Sequence, residues 1–131
     1  MRTPLVLDAS ALLADIKDEP GAEAVRGMMR DASDGIFMHA VNASEVAYHL
    51  LRFGLPPTLA FQLAAPKGVV IVEDMGKRLW ERNAILKADY RNLALGDCVA
   101  ISLAESLGAE LLTGDRLFRD VETSAPIKIF R

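Results

Sequence analysis

Short, unbroken apolar runs, set apart by stretches long enough for a helix, leave this chain few architectures to choose from. Leu5-Val6-Leu7, Val69 to Val72 and Leu111-Leu112 carry no polar residue. A strand with one wet face alternates apolar and polar residues. An unbroken run suits a strand covered on both faces, as in a parallel sheet between layers of helices. Ile36 to Val41 reads as a further strand, and Ile127 to Phe130 as the last. Between them the apolar spacing turns helical. The segments are Ser10 to Ile16, a helix opened by Pro20-Gly21 and carrying Ala24, Val25, Met28 and Met29, and Ala43 to Arg52 behind Asn42 as cap. Thr58 to Ala65 comes next, closed by Pro66, then Met75 to about Ala88 behind Asp74 as cap. A last, almost wholly apolar helix begins at Asp97 and stops at Gly108, a position that favours glycine. Strands alternating with helices predict an α/β fold, a central, mostly parallel sheet of about five strands flanked by helices. At 131 residues, with 51% of them hydrophobic, the whole of residues 1–131 reads as one domain with a packed core.

The composition closes off several chemistries. A single cysteine, Cys98, rules out an internal disulfide and a cysteine-based zinc site, and its place inside a helix predicts a buried, inert thiol. His39 and His49 are too far apart for the helical histidine pair of a zinc protease. No apolar run approaches the ~18 residues of a membrane span, and the N-terminus lacks a signal-peptide pattern, so the expected location is the cytoplasm, away from membranes. A formal net charge of −3 gives no global basic footprint, so any nucleic acid must be met by a local patch.

The architecture also says where the acids go. In a parallel sheet all strands end on one edge, and each returning helix begins there. Asp8 follows the first strand, and Glu45 lies early in the helix after the second. Asp97 opens the helix leading to the fourth strand, and Asp115 lies just beyond that strand. These carboxylates should converge. Each also has an ordinary reading: Asp8 and Asp115 as turn residues, Glu45 as the far half of a capping box with Asn42, Asp97 as a partner of the helix dipole. Together they repel one another unless protons, spacing or a cation intervenes. An all-oxygen ligand set selects hard ions, Mg²⁺ or Mn²⁺, which acidify water and neutralise a phosphodiester in its transition state. The hydroxyls of Ser10 and Thr113 stand two residues from Asp8 and Asp115, where they either orient the site or make ordinary turn bonds. Other uses of an acidic edge fit less well. A haloacid-dehalogenase-like phosphotransferase needs an aspartate where Ser10 stands, a receiver domain needs an acidic pair and a strand-end lysine, and neither a P-loop nor a Gly-x-Gly-x-x-Gly segment occurs.

With these residues in place the chain resembles the PIN domain family, and within it the small single-domain VapC toxins of toxin–antitoxin pairs. The likeness runs over nearly the whole chain. It is carried by Leu5-Val6-Leu7-Asp8-Ala9-Ser10, Asn42-Ala43-Ser44-Glu45-Val46, Leu95-Gly96-Asp97-Cys98-Val99-Ala100 and, most specifically, Leu111-Leu112-Thr113-Gly114-Asp115-Arg116-Leu117-Phe118. The resemblance implies a Mg²⁺- or Mn²⁺-dependent endoribonuclease. Asp8, Glu45, Asp97 and Asp115 would be its catalytic, metal-binding acids, and Ser10 and Thr113 its supporting hydroxyls. It implies a homodimer silenced by a cognate antitoxin. One departure is Gly96, where a helix former is more usual. RNA would be met by basic residues near the acids, with Arg82, Lys87 and Arg116 as candidates and Lys77, Arg78 and Arg91 nearby; each reads equally as part of a solvated surface. Leu55, Leu59, Phe61 and Leu63 exceed what a short helix can bury, which points to a second copy or an antitoxin segment. The reading from another class is a catalytically silent PIN-like module that binds RNA or protein, against which the complete acidic set speaks.

Overall fold

The computed structural model describes residues 3–131. Five strands form one sheet: β1 (Leu5–Leu7), β2 (Ile36–His39), β3 (Val69–Val72), β4 (Glu110–Thr113) and β5 (Ile127–Ile129). The helices are α1 (Ala9–Lys17), α2 (Ala22–Asp31), α3 (Ala40–Arg52), α4 (Pro57–Ala64), α5 (Lys77–Asp89) and α6 (Leu95–Leu107), and a 3₁₀ turn spans Arg116–Asp120. The spatial strand order is β3-β2-β1-β4-β5, and every pairing is parallel, where the sequence predicts only a mostly parallel sheet. β1 is central, with Val6 opposite Phe37 on one side and Leu111 on the other. From β1 the chain steps outward to β2 and β3, then returns to lay β4 on the other edge of β1. The direction of winding reverses there. The crevice outside the ends of β1 and β4 is therefore the place where such a sheet accepts ligands.

Both sheet faces are covered, as the unbroken runs require. Leu5, Leu7, Met38 and Leu112 point into one layer with Leu12, Val25, Val46 and Leu50. Val6 and Leu111, one step along their strands, point into the other with Leu86, Ile101 and Phe118. Helix α6 is buried without interruption from Cys98 to Ala104. It ends at Gly108 in the left-handed conformation (φ +61°), whose backbone N–H donates to the Glu105 carbonyl.

Predicted boundaries shift by one to three residues; α6, for one, opens at Leu95 and not at Asp97, and the shifts around His39 have a clear cause. β2 ends at His39, not Val41, and α3 starts at Ala40. The cap is His39: its Nδ1 accepts the Val41 N–H at 3.1 Å, while Nε2 donates to the Asp74 carbonyl at 2.8 Å. The ring is thus a neutral imidazole with its proton on Nε2, a role seldom taken by histidine at a helix start. Asn42 consequently lies inside the first turn of α3 and caps nothing, and the capping-box reading of Glu45 fails with it. Asp74 is no cap either. Its carbonyl is taken by His39, and α5 begins only at Lys77, behind Gly76.

The opening of α2 depends on a glycine. Gly21 adopts φ +91°, and a Cβ there would lie 2.6 Å from Phe130 Cδ1 and 2.9 Å from the Phe130 carbonyl oxygen, a backbone atom that cannot swing aside. Gly21→Ala should therefore destabilise the protein by about 2 to 4 kcal/mol. Urea unfolding should show this as a lower midpoint at unchanged slope, and an unshifted midpoint would contradict this packing.

Candidate active site

The sheet's reversal point is filled by one buried carboxylate. Asp8 is 3% exposed. It caps α1 by accepting the Ala11 N–H on Oδ1 at 2.9 Å, and the same oxygen accepts the Ser10 hydroxyl at 2.7 Å. Oδ2 accepts the Thr113 hydroxyl at 2.5 Å. Each hydroxyl is used twice. Ser10 Oγ accepts the Gly114 N–H at 2.9 Å, and Thr113 Oγ1 accepts the Asp115 N–H at 3.0 Å. The two hydroxyls thus stitch the end of β1 to the turn after β4. They fulfil both of their expected roles at once, turn bonding and orientation of a carboxylate. Burial is the main force on Asp8, raising its pKa from 3.8 to about 6; the hydrogen bonds from Thr113, Ser10 and Ala11 restrain the rise, and the Asp97 charge adds to it.

The other acids stand around this one. Asp115 caps the 3₁₀ turn, with Oδ1 accepting the Leu117 N–H at 2.9 Å. Asp97 is the third residue of α6, and its Oδ2 accepts the Ala94 N–H at 2.9 Å across the helix start. Glu45, from α3, accepts the Asn42 side-chain amide on Oε1 at 3.1 Å. Burial is the leading cause that pushes Glu45 and Asp97 above the usual carboxylate range. Glu45 is then raised further by the charges of Asp97 and Asp8, and Asp97 by that of Asp115. Acids from four separate parts of the chain therefore share one field.

This donor set fits a divalent cation in its chemistry. All its donors are oxygens, and their repulsion is the kind a cation relieves. Glu45 Oε2, Asp97 Oδ1 and Asp115 Oδ2 take no hydrogen bond from the described residues. In this arrangement no group of three histidine, cysteine, aspartate or glutamate side chains among the described residues is close enough to hold a metal ion.

The three basic candidates divide. Arg82 is committed to Glu105 through a double bond pair of 2.8 and 3.0 Å, and Glu105 also accepts the Thr123 hydroxyl. Lys87 Nζ donates to the carbonyls of Arg91 and Leu93, at 2.9 and 2.5 Å, which fixes the loop before α6. Its charge also pulls the Asp97 pKa down. Arg116 is exposed directly beyond Asp115. Beside it opens a cleft of about 550 Å³ lined by Tyr90, Arg91, Asn92 and Leu117, among others. Cys98 is buried as expected, and burial followed by the Asp97 charge pushes its thiol further from the reactive thiolate. Asn42 is the site residue whose role the sequence conceals. It reads as a cap, whereas its amide binds Glu45 and the Gly96 carbonyl, 54 residues away.

The sequence model of the PIN domain family matches residues 5–123. No curated protein matches the chain. Among solved structures, the chain is similar to VapBC2 from Rickettsia felis bound to a promoter DNA fragment, with a TM-score of 0.74 at 12% identity over 98% of this chain and 99% of that one. It is similar to DNA-bound VapBC from Salmonella typhimurium, with a TM-score of 0.74 at 16% identity over 100% of both chains. A third, VapC20 from Mycobacterium tuberculosis, a sarcin-ricin loop cleaving toxin, gives 0.63 at 14% identity over 84% of this chain and 87% of that one. At these identities the likeness establishes the fold.

The buried acid sets a pH dependence in metal-free protein. From about pH 4 to about pH 6 the folded chain keeps a proton on Asp8 that the unfolded chain has released. The native state then binds more protons, so stability falls as pH rises through this window and levels off above it. Two pKa units correspond to about 3 kcal/mol. In EDTA, urea unfolding should show wild type losing stability relative to Asp8→Asn between about pH 4 and pH 7. A constant difference would refute the assignment.

Proposed function

The chain belongs to the PIN domain family, and on that premise we propose that it is a Mg²⁺- or Mn²⁺-dependent endoribonuclease, the toxin of a VapBC-like toxin–antitoxin pair. One observation carries the reading: Asp8, Glu45, Asp97 and Asp115 act on one another electrostatically at the reversal point of the sheet. Asp97, Asp115 and Glu45 would hold the cation through their free oxygens, with Asp8 completing the set. When bound, the ion supplies a charge that offsets that of the phosphodiester and acidifies a water. The protein's part is orientation. Ser10 and Thr113 keep both oxygens of Asp8 fixed, and the backbone N–H groups of Ala94 and Leu117 hold one oxygen each of Asp97 and Asp115. Pre-set donors of this kind need no reorganisation as charge develops. Arg116, which follows Asp115 directly, and Arg91, on the wall of the cleft, would meet flanking phosphates, which would make RNA binding weaken with salt.

The partners are inferred from surface chemistry and from the likeness to VapBC structures, VapBC being a family of toxin–antitoxin systems. Leu59 and Phe61 of α4 are 42% and 56% exposed, and Leu55 and Leu63 pack inward. With Tyr48, Leu51 and Ile71, Phe61 borders an apolar groove of about 380 Å³. An exposed apolar surface of this kind is suited to a cognate antitoxin or a second copy of the chain. No helix among the described residues is long and apolar enough to cross a membrane, and we place the protein's action in the cytoplasm.

Incubating total cellular RNA with purified protein and Mn²⁺ tests the enzyme reading. Discrete new ends should appear, vanish with EDTA, and fall at least about a hundredfold in rate for Asp97→Asn, a barrier increase of about 2.7 kcal/mol. Cleavage that survives EDTA or the substitution would overturn the mechanism. Absence of cleavage alongside RNA binding would favour the silent module.

A further inference from the structure

Glycine at position 96 has no backbone reason to be there. It is the second residue of α6, its φ is not in the left-handed region, and a helix former would serve better. Its surroundings supply the reason. A Cβ built on Gly96 collides with Oε1 of Glu45, and it would stand 2.9 Å from Cδ and 3.3 Å from Oε2 of the same carboxylate. The Glu45 carboxylate therefore lies flush on the first turn of α6, in the space a methyl group would fill. That seat is at the positive end of the helix, which favours an anion.

The seat has a latch. Asn42 is 1% exposed, and its Nδ2 donates at 3.1 Å to Glu45 Oε1 and at 3.0 Å to the Gly96 carbonyl. Both partners are acceptors, which fixes the orientation of the amide. Its Oδ1 meets no donor among the described residues. A buried amide satisfied on one side only is a poor stabiliser, so its value lies in the bonds it donates. Through them one side chain ties an acid of α3 to the turn of α6 that also carries Asp97.

We infer that Asn42 and Gly96 are positioning residues that seat the Glu45 carboxylate against the start of α6, so that Glu45 and Asp97 are presented to a divalent cation as one unit. The inference rests on the proposed metal-dependent function. It also gives the glycine a reason: where a helix former is more usual, Gly96 makes room for the Glu45 carboxylate. Removing either device leaves all four carboxylates in place and releases only the position of one.

The decisive experiment is Mn²⁺ titration of the full chain by calorimetry, with thermal unfolding alongside, for Gly96→Ala, Asn42→Ala, Glu45→Gln and the two double variants with Glu45→Gln. Gly96→Ala should be at least as stable as wild type, since alanine suits a helix, yet bind Mn²⁺ about five- to tenfold more weakly. Asn42→Ala should weaken binding to a similar degree. In the Glu45→Gln background neither change should weaken binding further, because both act through Glu45. A stable Gly96→Ala that binds Mn²⁺ as wild type does, or losses that add to that of Glu45→Gln, would overturn the inference. Glu45→Gln alone separates the two levels. If it binds Mn²⁺ normally, the functional reading of Glu45 fails and the inference falls with it. If it binds weakly while Gly96→Ala and Asn42→Ala bind normally, only the inference fails. The Gly96 variant also guards against Asn42→Ala failing to fold.

Discussion

The hydrogen bond from the Thr113 hydroxyl to the buried carboxylate of Asp8 is the contact around which the acidic edge is arranged. Burying an acid in an apolar sheet is unfavourable unless its oxygens are satisfied. Here Ser10 and Ala11 satisfy one oxygen from α1, and Thr113 satisfies the other from the end of the neighbouring strand. Thr113 can reach Asp8 because β4 lies beside β1 with Leu112 opposite Leu7. Its oxygen then fixes the Asp115 N–H, as Ser10 fixes that of Gly114. One buried charge thereby dictates the course of the backbone that presents a second one. The sheet order is as much a part of the site as the side chains are.

Much of this was legible in the sequence because it rests on simple periodicities. Unbroken apolar runs gave three of the five strands their place, and strand ends gave Asp8 and Asp115 theirs. What escaped were contacts made by ordinary-looking polar residues with partners distant in the chain. Asn42, Asp74 and Glu45 each carry a local capping signature, and local rules assign them local partners. The fold overrides these because His39, itself bound to the Asp74 carbonyl, already caps α3. That frees Asn42 to reach Gly96. A histidine used as a cap has no strong sequence signal. The short 3₁₀ turn after Asp115 was equally invisible, since its length is below that at which helical spacing can be read.

The charges near the acids show a division of labour that composition could not reveal. Arg82 is tied to Glu105 on the neighbouring helix, and Lys87 is spent on carbonyls of the loop that leads into α6. Both resemble binding residues in the sequence, and in the fold both fasten α5 to α6 and to the loop between them. The helix they belong to thus braces the segment carrying Asp97. Arg91 lines the cleft together with Asp89 and Asp120, and Arg116 stays exposed on the turn after Asp115.

The bonds that define the acidic edge join residues far apart in sequence: Thr113 to Asp8 across 105 positions, and Gly114 to Ser10 across 104. During synthesis, α1 through α5 emerge from the ribosome before β4 exists. Until β4 arrives, one edge of the central strand is open, and Asp8 has neither the Thr113 bond nor Asp115 beside it. The acidic edge is therefore completed only once β4 has been made. A chain in which β4 has not yet been made lacks the bonds that fix both Asp8 and the turn carrying Asp115.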